Sequence, residues 1–193
     1  MGVSRFDVVK LEDLPDDLRE RVEVIAAKSG FVPNVFLALA HRPAELRAFM
    51  DYHDALMYPA KEGPTLSAAE RELIVVATSG ANHCTYCVVA HGAILRVRSK
   101  DPELADKVAT NPWGAALEPR QRAIVDLALQ VAGDSATVSD EDLEAAREAG
   151  LTEDEIWDVG AITALFAMSN RIAHLTALAP NPEFYLMGRQ PRS

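Results

Sequence analysis

Basic charge of any extended kind is missing from this 193-residue chain, whose formal net charge is −10. Nucleic acid and anionic membrane surfaces would repel it, so neither is expected as a partner. The nearest approach to a basic cluster, Arg96, Arg98 and Lys100, falls at one helix end, where cations suit the helix dipole. The opening segment Met1-Gly2-Val3-Ser4-Arg5-Phe6 has no apolar core for a signal peptide, and Phe6 stands where a myristoylation signal carries Ser or Thr. The longest apolar stretch, around Ile156 to Met168, contains Asp158 and is too short to span a bilayer. A cytoplasmic location is the expectation. There are only two cysteines, three positions apart. In a reducing compartment such a pair points to catalysis or metal binding rather than to a disulfide framework.

Strand signals are nearly absent too. β-Branched residues rarely alternate with polar ones, and no Asn-Gly or Asp-Gly pair marks a hairpin. Helix signals recur instead. Pro15-Asp16-Asp17 opens a helix running to about Lys28, with Gly30 just past its end. Pro33 and Pro43 suit the first turns of a short helix and of a longer one ending near Met57. Ser67, with Glu70 at capping-box spacing, begins a helix to about Ser79. Asn82 is placed to cap the next, which carries both cysteines and runs to about Arg98. Further helices are expected near 102–109, 119–131, 140–148 and 153–177, with Ser139 and Thr152 as N-caps and Gly150 as a C-terminal glycine. The expected fold is a single all-α domain over residues 1–193.

Two segments resemble each other. Residues 66–77 and 117–128 share Leu, Arg and a final Ala at matching offsets, with apolar residues between. The fold is therefore readable as a duplicated helical unit, a core motif over 66–99 with a degenerate copy over 117–177, or as two amphipathic helices alike by pattern alone. Only the first copy carries cysteines, and it has Glu72 where the second has Ala123.

The chemistry concentrates in Asn82-His83-Cys84-Thr85-Tyr86-Cys87-Val88-Val89-Ala90-His91. At ~100° per residue on a helix, Cys84, Cys87 and His91 fall on one face. The two cysteines are one turn apart, close enough for a disulfide after modest adjustment. Cys87 and His91 form an i, i+4 pair, so the imidazole can reach the sulfur. Only a thiolate is nucleophilic, and a free cysteine with pKa ~8.5 is mostly protonated at neutral pH. The helix dipole favours the thiolate at Cys84, and the neighbouring base favours it at Cys87. An imidazolium beside a thiolate outweighs an exposed helix end, worth ~0.3–1 kcal/mol, which points to Cys87. A buried structural pair and a zinc site using Cys84, Cys87, His91 and a borrowed Glu72 or His83 are the competing readings.

Glu72 completes a pattern E-x11-C-x2-C-x3-H, and on it the chain resembles the alkyl hydroperoxidase D and carboxymuconolactone decarboxylase-like superfamily, in its uncharacterised peroxidase-related branch. Supporting stretches are Phe31-Val-Pro-Asn-Val-Phe36, Arg71-Glu-Leu-Ile, Ala149-Gly-Leu-Thr-Glu-Asp-Glu-Ile156 and Asn170-Arg-Ile172. The resemblance implies a thiol-dependent hydroperoxide reductase without metal or organic cofactor. Glu72 and His91 would relay a proton from Cys87. Cys87 would attack the peroxide to give a sulfenic acid, and Cys84 would resolve it to a disulfide, which a dithiol or protein reductant restores. A thiol–disulfide oxidoreductase or redox sensor without peroxidase activity is the alternative. Well-characterised members carry a further His between the cysteines, where this chain has Tyr86.

Periodicity alone would not select Glu72. The apolar arc of its helix centres near Leu66, Leu73 and Ala77, and Glu70 lies closer to that arc. Asn34, His53, Trp113, Trp157 and His174 read as packing, capping or interface residues. The apolar excess of the helix around Ile156 to Met168, together with the superfamily's habit, suggests a homo-oligomer.

Overall fold

The computed structural model describes residues 2–60 and 65–189. Among them are nine α-helices and no strand: α1 (Asp16–Ser29), α2 (Asn34–Leu39), α3 (Pro43–Met57), α4 (Ala68–Ala81), α5 (Thr85–Ser99), α6 (Leu104–Thr110), α7 (Pro119–Asp134), α8 (Asp140–Glu148) and α9 (Glu153–Thr176). The all-α expectation holds, and most boundaries fall within a few residues of those read from the sequence. Local chemistry explains that agreement. Ser67 accepts from the Glu70 backbone N–H while the Glu70 side chain accepts from Ser67 N–H, and Ser139/Asp142 and Thr152/Glu155 repeat the same reciprocal cap. Gly30 closes α1 with φ of 86°, a left-handed turn that suits a residue without Cβ. No helix of the described residues is long and apolar enough to cross a membrane.

One boundary differs. The helix expected to start at Asn82 starts after Cys84, which is itself the N-cap. Asn82 instead ends α4, and His83 turns the chain with φ of 56°, in the left-handed region. His83 thus lies in the turn and not on a helix face.

Helix α4 is the centre of the molecule, packed between α5, α6, α7 and α9. Every residue from Arg71 to Ser79 is buried. Its Ile74 and Val75 belong to an apolar core with Ile124, Leu127, Val159, Ile162 and Phe166, while Leu73, Val76 and Ala77 join Leu95, Val108 and Val125 in a second. A helix enclosed on all sides has no solvated face, so its apolar arc carries little information about which polar residue points where. The charge buried here is matched: Arg71 donates to the Leu56 carbonyl at 2.6 Å, to Thr65 Oγ1 at 2.7 Å and to Asp158 Oδ2 on α9 at 2.9 Å. The α4–α5 turn places Cys84, Tyr86, Cys87, Ala90 and Ala93 in a further cluster with Ala38 of α2, Ala173 of α9, Leu178 and Phe184.

Candidate active site

Cys84 occupies the N-cap of α5, where a Ser, Thr, Asp or Asn side chain commonly receives backbone N–H groups of the first turn. Its own N–H donates to the Ser79 carbonyl at 2.9 Å, and its carbonyl accepts from Val88 N–H at 2.9 Å. Cys87 sits three residues on, inside the first turn. Both are free thiols, with Cys84 1% and Cys87 3% exposed. His83 and Thr85 on either side of Cys84 are exposed, so its sulfur lies just beneath the surface.

The two sulfurs are hydrogen-bonded to each other. The Cys87 thiol donates to Cys84, and this bond draws the Cys84 pKa down to about 6 against the opposing pull of burial; the Cys87 backbone N–H, His174 and the Asn170 carboxamide act in the same downward direction. Cys87 is pushed well above the ordinary thiol range by the bond it donates, by burial and by the Cys84 charge, with Asn170 and Ser169 offsetting part of the effect. These directions favour the thiolate at Cys84, whereas the sequence argument favours it at Cys87. The sequence argument weighed an imidazole against a helix dipole. It lacked the larger interaction, which is one thiol bonding the other.

Glu72 comes from the buried α4 and His91 from α5, and they meet with His91 Nδ1 2.8 Å from Glu72 Oε2. Glu72 is 4% exposed, whereas Glu70 is spent on the cap of α4 and on Arg120 at 2.8 Å. The positions reverse the periodicity expectation because α4 has no outward face. With the carboxylate accepting from Nδ1–H, Nε2 is left as the basic nitrogen of the ring. The imidazole packs edge-on against Phe166 of α9, ring centroids 4.7 Å apart, and His53 approaches the same phenyl ring at 6.2 Å.

Tyr86, at the position between the cysteines, is buried and accepts from the Val35 backbone N–H at 3.2 Å. Burial raises its pKa, so the hydroxyl stays protonated and ties α5 to α2 rather than exchanging protons. Beside Tyr86 lies a small cavity of about 10 Å³, lined among others by Val35, Phe49, Ser169 and Ile172. Asn34 is structural, donating from Nδ2 to the Ala179 carbonyl at 2.9 Å. Trp113 and Trp157 are exposed.

The sequence reading missed Ser79, Ser169 and Asn170 as neighbours of the thiols, and left His174 without a partner. His174 Nε2 lies 3.3 Å from the His83 carbonyl, over the Cys84 end of α5. A signal for Asn170 was present: Ser169-Asn170 interrupts an apolar helix, and a buried carboxamide requires partners. Among the described residues, no three His, Cys, Asp or Glu side chains are gathered so as to hold a metal ion.

The carboxymuconolactone decarboxylase family profile matches residues 43–112, the segment that holds Glu72, both cysteines and His91. A protein of Ralstonia eutropha JMP134, described as an uncharacterized peroxidase-related protein with an alkylhydroperoxidase AhpD core, is 55% identical and superposes with a TM-score of 0.95 over 100% of both chains. The chain belongs to this AhpD and carboxymuconolactone decarboxylase-like superfamily. A second peroxidase-related member, from Silicibacter sp. TM1040, is 36% identical with a TM-score of 0.90, covering 98% of this chain and 97% of its own. The debrominase Bmp8 shares the AhpD-like fold at 16% identity, with a TM-score of 0.76 over 94% of this chain and 93% of its own. No curated protein matches the sequence. Membership of the superfamily and its peroxidase-related branch agrees with the resemblance drawn from the E-x11-C-x2-C-x3-H pattern.

Proposed function

We propose that this protein reduces hydroperoxides through the Cys84/Cys87 pair, with Glu72 and His91 as the proton relay and a dithiol as reductant. The observation that carries the reading is the buried Glu72–His91 hydrogen bond of 2.8 Å on the same two helices that position a proton-sharing pair of thiols. Relatives named peroxidase-related support it.

The resting proton distribution favours Cys84 as the attacking sulfur. Its thiolate forms a bond to the terminal peroxide oxygen, the O–O bond breaks, and the departing alkoxide takes a proton from solvent to leave as the alcohol. Cys84 is then a sulfenic acid. Cys87 attacks that sulfur while His91 Nε2, one helical turn along, takes the Cys87 proton. Glu72 stabilises the imidazolium so formed. The S–S bond forms, and hydroxide leaves with the proton held by His91, as water. An external dithiol returns both cysteines to their starting state by exchange, becoming a disulfide itself. This order exchanges the roles that the family resemblance implies for the two cysteines, while keeping the same four residues.

A low-pKa cysteine at a helix N-cap with a buried partner one turn on also suits thiol–disulfide exchange. One experiment separates the two. Purified reduced protein is mixed with stoichiometric cumene hydroperoxide or hydrogen peroxide, and free thiols are titrated over time, then again after a dithiol is added. The proposal expects rapid loss of both thiols and full recovery. Thiols that persist under peroxide yet are oxidised readily by a disulfide would replace it with the exchange reading.

A further inference from the structure

We propose that Asn170 of α9 is the positioning residue of the cysteine pair, its carboxamide holding Cys84 and Cys87 together and donating to the thiolate. The inference rests on the thiol chemistry proposed above, but not on peroxide being the oxidant.

The side chain is fully buried, with no accessible surface. Its Oδ1 accepts from Asn82 Nδ2 at 3.0 Å, and its Nδ2 donates to Ser79 Oγ at 3.1 Å. Ser79 in turn offers its backbone carbonyl to Cys84 N–H at 2.9 Å. Asn82 precedes Cys84 by two residues, across the left-handed turn at His83. A single amide therefore clamps both sides of the turn that delivers Cys84 to the N-cap of α5.

The donor inventory completes the argument. A carboxamide has two N–H donors, and one is committed to Ser79. The other is available to the sulfurs, and hydrogen bonding by this carboxamide lowers the pKa of both Cys84 and Cys87. A neutral donor held in place by two further hydrogen bonds costs no reorganisation when negative charge moves from one sulfur to the other. An acid in the same place would repel the thiolate. An apolar residue would leave it unsolvated in a buried pocket. The other titratable groups around the pair are His174 from α9, Tyr86 and His91 from α5, and Glu72 from α4, of which Tyr86 stays neutral. His174 acts on the Cys84 charge directly, and His91 is engaged by the Glu72 carboxylate.

The test follows the pH dependence of thiol alkylation in the full-length protein, for wild type, Asn170→Ala, Asn170→Asp, Ser79→Ala and His174→Ala, with melting temperature and circular dichroism alongside. Asn170→Ala should move the midpoint of Cys84 alkylation up by about one pH unit, the size expected for losing a hydrogen bond to a charged group. Asn170→Asp keeps the shape and an acceptor for Asn82 but loses the donor, and should move it further. Ser79→Ala, which removes only a support, should shift it by less than Asn170→Ala.

A folded Asn170→Ala or Asn170→Asp protein with an unchanged midpoint would overturn the assignment, whatever its melting temperature. Should both fail to fold, Ser79→Ala carries the test, because a midpoint shift in that variant requires the carboxamide to act on the thiols. No shift there would likewise reject the proposal. A wild-type midpoint in the ordinary thiol range, with no peroxide turnover, would fail the proposed function before the role of Asn170 arises. A low wild-type midpoint insensitive to Asn170 would fail only the latter.

Discussion

Replacing Cys87 by Ala removes the largest single cause of the low Cys84 pKa, so it is the sharpest perturbation of the site. A thiol with pKa about 6 is ~90% thiolate at pH 7, whereas a free cysteine at ~8.5 is ~3% thiolate, a ~30-fold difference in available nucleophile. A hydrogen bond to a charged group contributes ~1.5–3 kcal/mol, and each pKa unit corresponds to ~1.4 kcal/mol, so losing the Cys87 donor should raise the Cys84 midpoint by ~1–2 units. The sign is fixed: a lowered thiol pKa means reactivity that persists as pH falls and is lost below about 6. In Cys87→Ala that loss should begin at higher pH.

The assay is the second-order rate of iodoacetamide alkylation from about pH 5 to 9, a window that brackets lowered and ordinary thiol values. It is read with Cys84→Ser and Cys87→Ala side by side. Cys84→Ser should leave a thiol that reacts slowly at neutral pH, since burial still raises the Cys87 pKa once Cys84 is gone. In single turnover with peroxide, Cys87→Ala should accumulate a trappable sulfenic acid on Cys84, and Cys84→Ser should lose fast oxidation. If Cys84→Ser kept wild-type oxidation while Cys87→Ala lost it, the attacking sulfur would be Cys87, the order implied by family resemblance. The resting proton distribution described above would then not govern the reaction.

Mild oxidation should lower the intact mass by about two hydrogens per chain, reversibly, because the one-turn spacing permits a disulfide; sulfinic acid or intermolecular dimers as the only products would contradict the pairing. His91→Ala should slow disulfide closure after the sulfenic acid has formed, and Glu72→Gln should slow it less, both with little change in the first oxidation; stopped-flow fluorescence or quenched thiol titration resolves the two phases. Asp158→Ala should cost ~3–5 kcal/mol by leaving the Arg71 guanidinium buried without its carboxylate, measurable by urea unfolding, and a loss under ~1 kcal/mol would show the pair to be dispensable. On α9, Trp157, Ala161, Ala164 and Met168 form an apolar stripe at spacings of four, three and four, with Leu175 seven residues further on past Arg171 and Trp157 76% exposed. We propose that a second copy covers this stripe, so Trp157→Glu should lower the sedimentation mass, and a monomeric wild type would refute it.

Helix ends were legible because their causes are local. Ser67 and Glu70, Ser139 and Asp142, and Thr152 and Glu155 each close a reciprocal cap within four residues. The start of α5 was misplaced for a reason of the same scale: Asn82 is a good cap by composition, but a left-handed His83 follows it and puts Cys84 at the N-cap position. Glu72 failed the periodicity test because that test assumes a wet face and a dry one, and α4 has only dry faces. The neighbours of the thiols were harder still. Asn170 meets Ser79 across 91 residues of sequence and Asn82 across 88, and no window of the chain encodes that meeting. What the sequence does contain is the demand. Ser169-Asn170 stands within the apolar run of α9, and an unpaired carboxamide there would cost several kcal/mol. A polar group in such a run must find partners from another element, and the elements able to supply them are those with polar groups of their own in buried turns. In this chain the Ser79-Gly80-Ala81-Asn82-His83-Cys84 turn is the one that meets that condition beside reactive sulfur. The demand for hydrogen bonds and the demand for a stabilised thiolate are thus answered by the same side chain.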